Sequence, residues 1–246
     1  MTPKLLNLPL TIATTLCAAL MLAGCAGGSL VPEGKEARRA QSKAERMPSS
    51  PSRVARPRMG AAIPNAPFAT ADARQCVSEL HAAGVRFTSL PDKHEGSGCS
   101  TINSIKVMDF GTPTTNTTAM TCPLAKNFAA WARYAVQPAA QMTFGSPVVK
   151  IETMGTYSCR NIYGGRSGRL SQHAFANAVD VSAFILADGR RVSVLNDWEG
   201  GSREKKFLRL IHGSACRRFG TVLSPEYNAA HADHFHFDMS GKGFCR

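Results

Sequence analysis

The chain has 246 residues, 43% of them hydrophobic and 19% charged, with 29 Lys and Arg against 17 Asp and Glu, for a formal net charge of +12. This is enough apolar material to enclose a real core. The excess of positive charge points to polyanionic partners, and the N-terminus excludes nucleic acid from among them.

Residues 1–24 read as a bacterial lipoprotein signal peptide. Lys4 gives a minimal positive region, Leu5 to Leu22 is apolar, and Leu22-Ala-Gly-Cys25 matches the lipoprotein cleavage box. A spanning helix needs about 20 apolar residues and has no use for this small-residue ending. Cleavage before Cys25 and lipidation of that residue are expected, and several acyl chains hold a protein firmly at a bilayer. Ala26 follows Cys25, which favours the outer over the inner membrane. The protein is thus expected in the bacterial cell envelope, facing the periplasm. The polyanions there are phospholipid, lipopolysaccharide and the carboxylates of the wall, so the positive charge implies no nucleic acid.

Residues 25–66 read as a disordered tether that begins at the lipidated cysteine. Eight Lys or Arg (Lys35, Arg38, Arg39, Lys43, Arg46, Arg53, Arg56 and Arg58) are set against Glu33, Glu36 and Glu45, with Pro, Ala and Ser between them and no apolar periodicity. Such a stretch buries too little apolar surface to offset its chain entropy.

From residue 67 to 246 there is one domain of about 180 residues, a usual single-domain size. Ala71 to Ala83 reads as a helix capped near Thr70 or Asp72 and stopped by Gly84. A short strand at Val85 to Phe87, a polar loop from Pro91 to Ser100 and a strand from Ser104 to Phe110 follow. Pro123 to Gln141 places Leu124, Phe128, Trp131, Ala132, Ala135 and Val136 at helical spacing, with Pro138 expected to end or kink the helix. Val148 to Met154 reads as a strand, Asn161 to Leu170 as a Gly- and Arg-rich loop, and residues 177 to 184 as an alternating strand whose hairpin arm, Val181 to Leu186, runs on to the next turn. Ala187-Asp-Gly-Arg190 turns that strand into Arg191 to Leu195. Ser202 is expected to cap a helix to Phe219 that buries Phe207, Leu208, Leu210, Ile211 and Ala215 and ends at Gly220. Val222 to Pro225 leads to a return strand around Phe235 to Asp238.

Six cysteines fall in this domain: Cys76, Cys99, Cys122, Cys159, Cys216 and Cys245. An even number in an exported domain implies three disulfides, although six cysteines allow 15 connectivities. No Cys-x-x-Cys pair exists to suggest a cysteine-based metal site. The fold class is α+β, an antiparallel sheet flanked by helices and stabilised by disulfides.

Four of the seven histidines fall in two short runs, Ser171 to Asp180 and His231 to Asp238. The others, His81, His94 and His212, read as ordinary surface or core residues. Hydrolytic zinc is usually held by three ligands drawn from His, Asp and Glu, with a fourth position left open. His173, Asp180 and His236 supply that set on the antiparallel sheet. Residues two apart on a strand share a face, which sets His234 beside His236, with Asp238 following.

Ser171-x-His173-x(6)-Asp180 followed by His234-x-His236 resembles the zinc peptidases that cut peptidoglycan peptides: D-alanyl-D-alanine carboxypeptidases and dipeptidases, penicillin-insensitive murein endopeptidases and lysostaphin-type enzymes. Together with Ala215-Cys216 and Asn228-Ala-Ala-His-Ala-Asp-His-Phe-His236, residues 70–246 resemble the bacterial extensin-like C-terminal domain family, which is usually grouped with those peptidases. The resemblance implies a zinc metallopeptidase acting on peptidoglycan peptides, as carboxypeptidase or endopeptidase. A wall-binding lipoprotein without catalysis is the alternative, and the complete ligand set counts against it. Arg160 matches the family arginine that contacts a substrate carboxylate or the scissile carbonyl, and Ser171 matches a substrate contact. A plain surface Arg beside a disulfide is the competing reading of Arg160. Among the candidate bases, His234 is favoured with His231 assisting. Asp233 matches the Glu base of the D-alanyl-D-alanine enzymes but is one methylene shorter. Asp233 or Asp238 is better suited to orienting one of the rings.

Overall fold

The computed structural model describes Phe68 and residues 70–246. The expected signal peptide, the lipidation site Cys25 and the tether lie outside the described residues. No helix among the described residues is long and apolar enough to cross a membrane.

Helix α1 (Ala71–Ala82) starts where Thr70 Oγ1 accepts the Ala73 N–H at 3.2 Å, and it stops at Gly84, whose φ of 69° is one that glycine adopts without strain. Strands β1 (Arg86–Ser89), β4 (Ser104–Asp109) and β5 (Met120–Thr121) form a small antiparallel sheet. The polar loop between β1 and β4 folds into a two-stranded ladder of β2 (Lys93–His94) and β3 (Ser100–Thr101).

The next helix continues past its proline with a local distortion just before it. Helix α2 (Cys122–Trp131) runs through a π-turn at Ala132–Val136 into α3 (Gln137–Phe144), which Gly145 ends in the left-handed region. Pro138 neither stops nor breaks the helix. It has no N–H to give the carbonyl four residues back, and its ring crowds that group. The turn just before it widens, and Gln137 N–H reaches the Ala132 carbonyl instead. The aromatic stripe is core as expected. Trp131 is fully buried, donates from Nε1 to the Ile211 carbonyl at 2.9 Å, and packs edge-on to Phe237 and Phe184.

The main sheet runs β11-β9-β10-β7-β6, with β8 paired to the far end of β7. Its strands are β6 (Val148–Gly155), β7 (Ala178–Leu186), β8 (Arg191–Ser193), β9 (Thr221–Leu223), β10 (Phe235–Asp238) and β11 (Phe244–Cys245). All pairs are antiparallel except β11 with β9. Strict alternation fails in β7. Glu152 pairs with Ala183 and Thr153 with Val181, so Ser182 is skipped and Phe184 comes round to the Trp131 side. The expected strand to Leu195 is cut at Ser193, whose Oγ caps a one-turn helix α4 (Val194–Asp197). Helix α5 spans Ser202–Ala215, with Gly201 rather than Ser202 at the cap position. Phe207, Leu208, Ile211 and Ala215 are buried, whereas Leu210, predicted to face inward, is 40% exposed because it lies on the outer side of the helix.

The three disulfides are Cys76–Cys122, Cys99–Cys159 and Cys216–Cys245. They tie α1 to α2, the β2/β3 ladder to the chain after β6, and the end of α5 to the edge strand β11.

Candidate metal centre

On β10, Phe235 and Phe237 face the core while His236 and Asp238 face the other way. The antiparallel register sets His236 directly opposite Asp180 on β7. The third member arrives from a loop. Ser171 caps a single 3-10 turn, Gln172–Phe175, which Ala176 ends in the left-handed region at φ 52°, and this turn carries His173 over the strand pair.

His173, Asp180 and His236 are all buried and form a group that could hold a metal ion. His173 Nε2 lies 3.0 Å from Asp180 Oδ2 and 3.2 Å from His236 Nδ1, and His236 Nδ1 lies 2.8 Å from Asp180 Oδ1. The outer ring nitrogens are committed elsewhere. His173 Nδ1–H donates to the Thr156 carbonyl at 2.8 Å, and His236 Nε2–H donates to Asp238 Oδ2 at 3.1 Å. With those protons placed, three lone-pair atoms face one another across about 3 Å, and a cation is needed among them. In the metal-free protein a proton supplies it. Burial pulls the His236 pKa down, but its bonds to Asp180 and Asp238 outweigh burial and raise it to about 9. Burial likewise opposes the charge on Asp180, yet its bonds to His173 and His236 hold it well below the usual carboxylate range. A small divalent ion suits the same position, because ligand bonds of about 2.0–2.2 Å in a tetrahedron separate the ligand atoms by roughly this spacing. The outer hydrogen bonds to a carbonyl and a carboxylate are the usual supports of metal-binding histidines.

Asp180 and His236 line a cleft of about 850 Å3, together with His231, His234, Arg160, Ser171 and Tyr163, while His173 lies beneath its wall. His234 Nδ1–H donates to Asp233 Oδ1 at 2.7 Å, which leaves Nε2 turned inward, 3.7 Å from Asp180 Oδ1. Asp233 itself lies outside the cleft lining and touches the centre only through that ring. His231 Nδ1–H donates to Asn228 Oδ1 at 2.7 Å. Burial first, then the neighbouring His234 and His236, lower the His231 pKa to about 4, so this ring is neutral at neutral pH. Arg160 Nη2 is 3.7 Å from Asp180 Oδ2, on a side chain 37% exposed to the cleft. Ser171 lines the cleft but also has the local task of capping the His173 turn, at a long 3.4 Å.

Some residues of the site gave no sign in the sequence. Thr156 acts through its backbone carbonyl, so its side-chain type says nothing about the contact. Asn228 stood in the quoted run, and an Asn three residues before a His is a recognisable cap. A second cluster, His212, Cys216 and Cys245, brings ligand-type atoms together. Its two sulfurs are joined to each other and present no thiolate, and His212 packs between Trp198 and Phe235.

No curated protein and no solved structure matches the chain. A family model described as Extensin-like protein C-terminus matches residues 74–246, which takes in both disulfide-bearing ends and the whole centre. The chain therefore belongs to the extensin-like C-terminal family.

Proposed function

We propose that this protein is a zinc-dependent peptidase of peptidoglycan, a D,D-carboxypeptidase or endopeptidase, tethered to the bacterial envelope by lipid on Cys25. The observation that carries the reading is the facing of His173 Nε2, His236 Nδ1 and the Asp180 carboxylate beside an open cleft, each histidine already holding its other ring proton on a partner. The kinship with the wall peptidases is supported by the Ser171-x-His173-x(6)-Asp180 and His234-x-His236 spacings. The lipid anchor, with outer membrane favoured, is supported by Leu22-Ala-Gly-Cys25 and Ala26.

Bound zinc would supply Lewis acidity, polarising a peptide carbonyl and acidifying a water. The chain's own groups account for the rest. His234, oriented by Asp233, has Nε2 free to take a proton and return it to a leaving amine. His231, neutral and beside it, can share that proton. Arg160 can pair with a terminal carboxylate in two-pronged fashion or stabilise the oxygen of the carbonyl under attack. The Ser171 hydroxyl can bond the same carboxylate. The cleft volume is within the range of sites that enclose small ligands, here a short peptide.

The test is metal content together with digestion of whole peptidoglycan by the mature chain and by His236→Ala. About one zinc per chain, with new muropeptides that vanish in the variant, is expected. Stoichiometric metal without cleavage, in a protein that still sediments with the wall, would favour a non-catalytic wall-binding lipoprotein. Absence of bound metal would refute the reading.

A further inference from the structure

The segment between Arg160 and Ser171 is a finger. Its sides are laddered by Ile162 N–H to the Arg169 carbonyl at 2.9 Å and Ser171 N–H to the Arg160 carbonyl at 3.0 Å, with an Asn161–Leu170 bridge between. Its root is pinned by Cys99–Cys159. Its tip, the 3-10 turn Ile162–Gly164, holds Tyr163 at φ 58°. A large side chain seldom adopts that conformation, and such outliers persist only where surrounding contacts fix them.

The contact in question crosses the cleft. Tyr163 is 60% exposed, so burial does not hold it. Its hydroxyl accepts from Asn228 Nδ2 at 3.0 Å and also bonds the Tyr227 side chain, whose ring stands 5.5 Å from that of His231. The other end of the same amide is fully used: Asn228 Oδ1 accepts the Ala230 N–H at 3.1 Å and His231 Nδ1–H at 2.7 Å. Because the Ala230 N–H can only donate, the amide has one orientation, with oxygen towards His231 and nitrogen towards Tyr163. The Tyr163 ring also stands edge-on to the His231 ring, 6.3 Å between centroids. His231 in turn lies 5.2 Å from His234 and 5.9 Å from His236, ring to ring.

We propose that Tyr163 is a positioning residue which, through the Asn228 amide, locks His231 into the cleft and the finger across it as a single state. The inference rests on the proposed catalysis only in giving His231 a proton to carry; the lock itself is independent of it.

The experiment compares the whole chain, Tyr163→Phe, Asn228→Ala and the double variant. The Phe variant keeps the ring and loses only the hydroxyl, on an exposed residue that the core does not need. One readout needs no activity: exchange of the His231 Nδ1 proton with water, followed by 15N NMR, with tryptic cleavage at Arg166 and Arg169 as the report on the finger. Exchange and cleavage about tenfold faster in Tyr163→Phe are expected. On peptidoglycan peptides, kcat should fall about tenfold with KM changed less than twofold, and the double variant should lose less than the product of the two single losses, since both side chains act on the same His231 ring. A His231 proton and a cleavage rate unchanged in Tyr163→Phe would overturn the proposal, as would losses that multiply in the double variant. If the wild type cuts no wall peptide, the proposed function fails, and the exchange and cleavage rates alone decide the lock.

Discussion

Asp238→Asn tests the arrangement around the candidate metal position with a change of a single atom type. Asp238 is 4% exposed; Oδ2 accepts from His236 Nε2–H at 3.1 Å, and Oδ1 accepts from Ser240 N–H and Oγ at 2.7 and 2.6 Å. Asparagine has one acceptor oxygen for these two duties. If the oxygen stays on Ser240, the amide nitrogen faces His236 Nε2, and the ring must move its proton to Nδ1, the atom that would hold the metal. If the oxygen turns to His236, a donor is left facing the Ser240 N–H. Either outcome loses a buried, charge-assisted hydrogen bond worth about 1.5–3 kcal/mol, or about 10- to 100-fold in metal affinity, the usual effect of removing such a support. Zinc affinity measured against a chromophoric chelator should weaken by that factor while far-UV circular dichroism is unchanged. A zinc Kd within twofold of wild type, together with an unchanged unfolding free energy, would show that neither duty of Asp238 supports His236 Nδ1 as a ligand atom, and the reading of the centre would fall.

Three further outcomes are expected. In the metal-free protein the His236 pKa is raised from 6.5 to about 9, so its contribution to stability is fully present below about pH 6.5 and lost as pH climbs through 9. That displacement corresponds to about 3 kcal/mol, to be read from urea unfolding in chelator at pH 6 and 9.5; a flat profile would contradict the network. Zinc competes for the same position, so its affinity should rise with pH up to about 9 and then level off. Replacing Cys99 and Cys159 by Ser opens a link across 60 residues, for which loop entropy gives about 4 kcal/mol of lost stability; a loss under about 1 kcal/mol would mean the unfolded chain is already restrained there. In Gly220→Ala the new methyl would sit 1.9 Å from the Ser240 carbonyl oxygen, and overpacking against backbone should cost about 3 kcal/mol. Because Gly220 N–H also bonds the Asp238 carbonyl at 2.8 Å, zinc affinity should drop with it. An unchanged melting temperature would disprove the close contact.

The sequence disclosed most where side-chain chemistry and period agree. That His236 and Asp238 share a face away from Phe235 and Phe237 was legible from strand alternation, and the structure turns those pairs to opposite faces, whereas His173 sits on a turn about which alternation says nothing. The cap at Thr70 and the stop at Gly84 follow from local chemistry in the same way. Other features depend on what the chain meets elsewhere. Gly220 read as a helix stop, but the helix already ends at Ala215, and the glycine is required by the backbone of Ser240 twenty residues on. The π-turn before Pro138 and the skipped Ser182 are adjustments to packing that periodicity, averaged over a window, does not carry. The cysteine pairing belongs here too, since spacing constrains none of the pairs until the elements are placed. Tyr163 was silent because its link to Asn228 spans 65 residues and only the fold brings the two together.

The strand register explains how the centre can be both buried and open. His236 and Asp180 are direct partners in adjacent antiparallel strands, so the backbone ladder sets their separation and little side-chain entropy remains to be lost on binding. A slip of one residue would exchange His236 for Phe235 or Phe237 and bring an aromatic ring from the core to the cleft. The packing of Phe237 on Trp131 and Phe219 opposes that slip, so the hydrophobic core holds the register that sets Asp180 against His236. His173, His231 and Arg160 come instead from turns and the finger on the open side of the sheet, outside the ladder of the main sheet and supported by disulfide, cap and hydrogen bond. Two of the three candidate ligands are thus fixed by the sheet, while Arg160, Ser171 and His231 sit on the turns and finger beside it. A variant that loosens the finger should therefore change turnover before it changes metal content, and one that disturbs Phe237 should lose metal first.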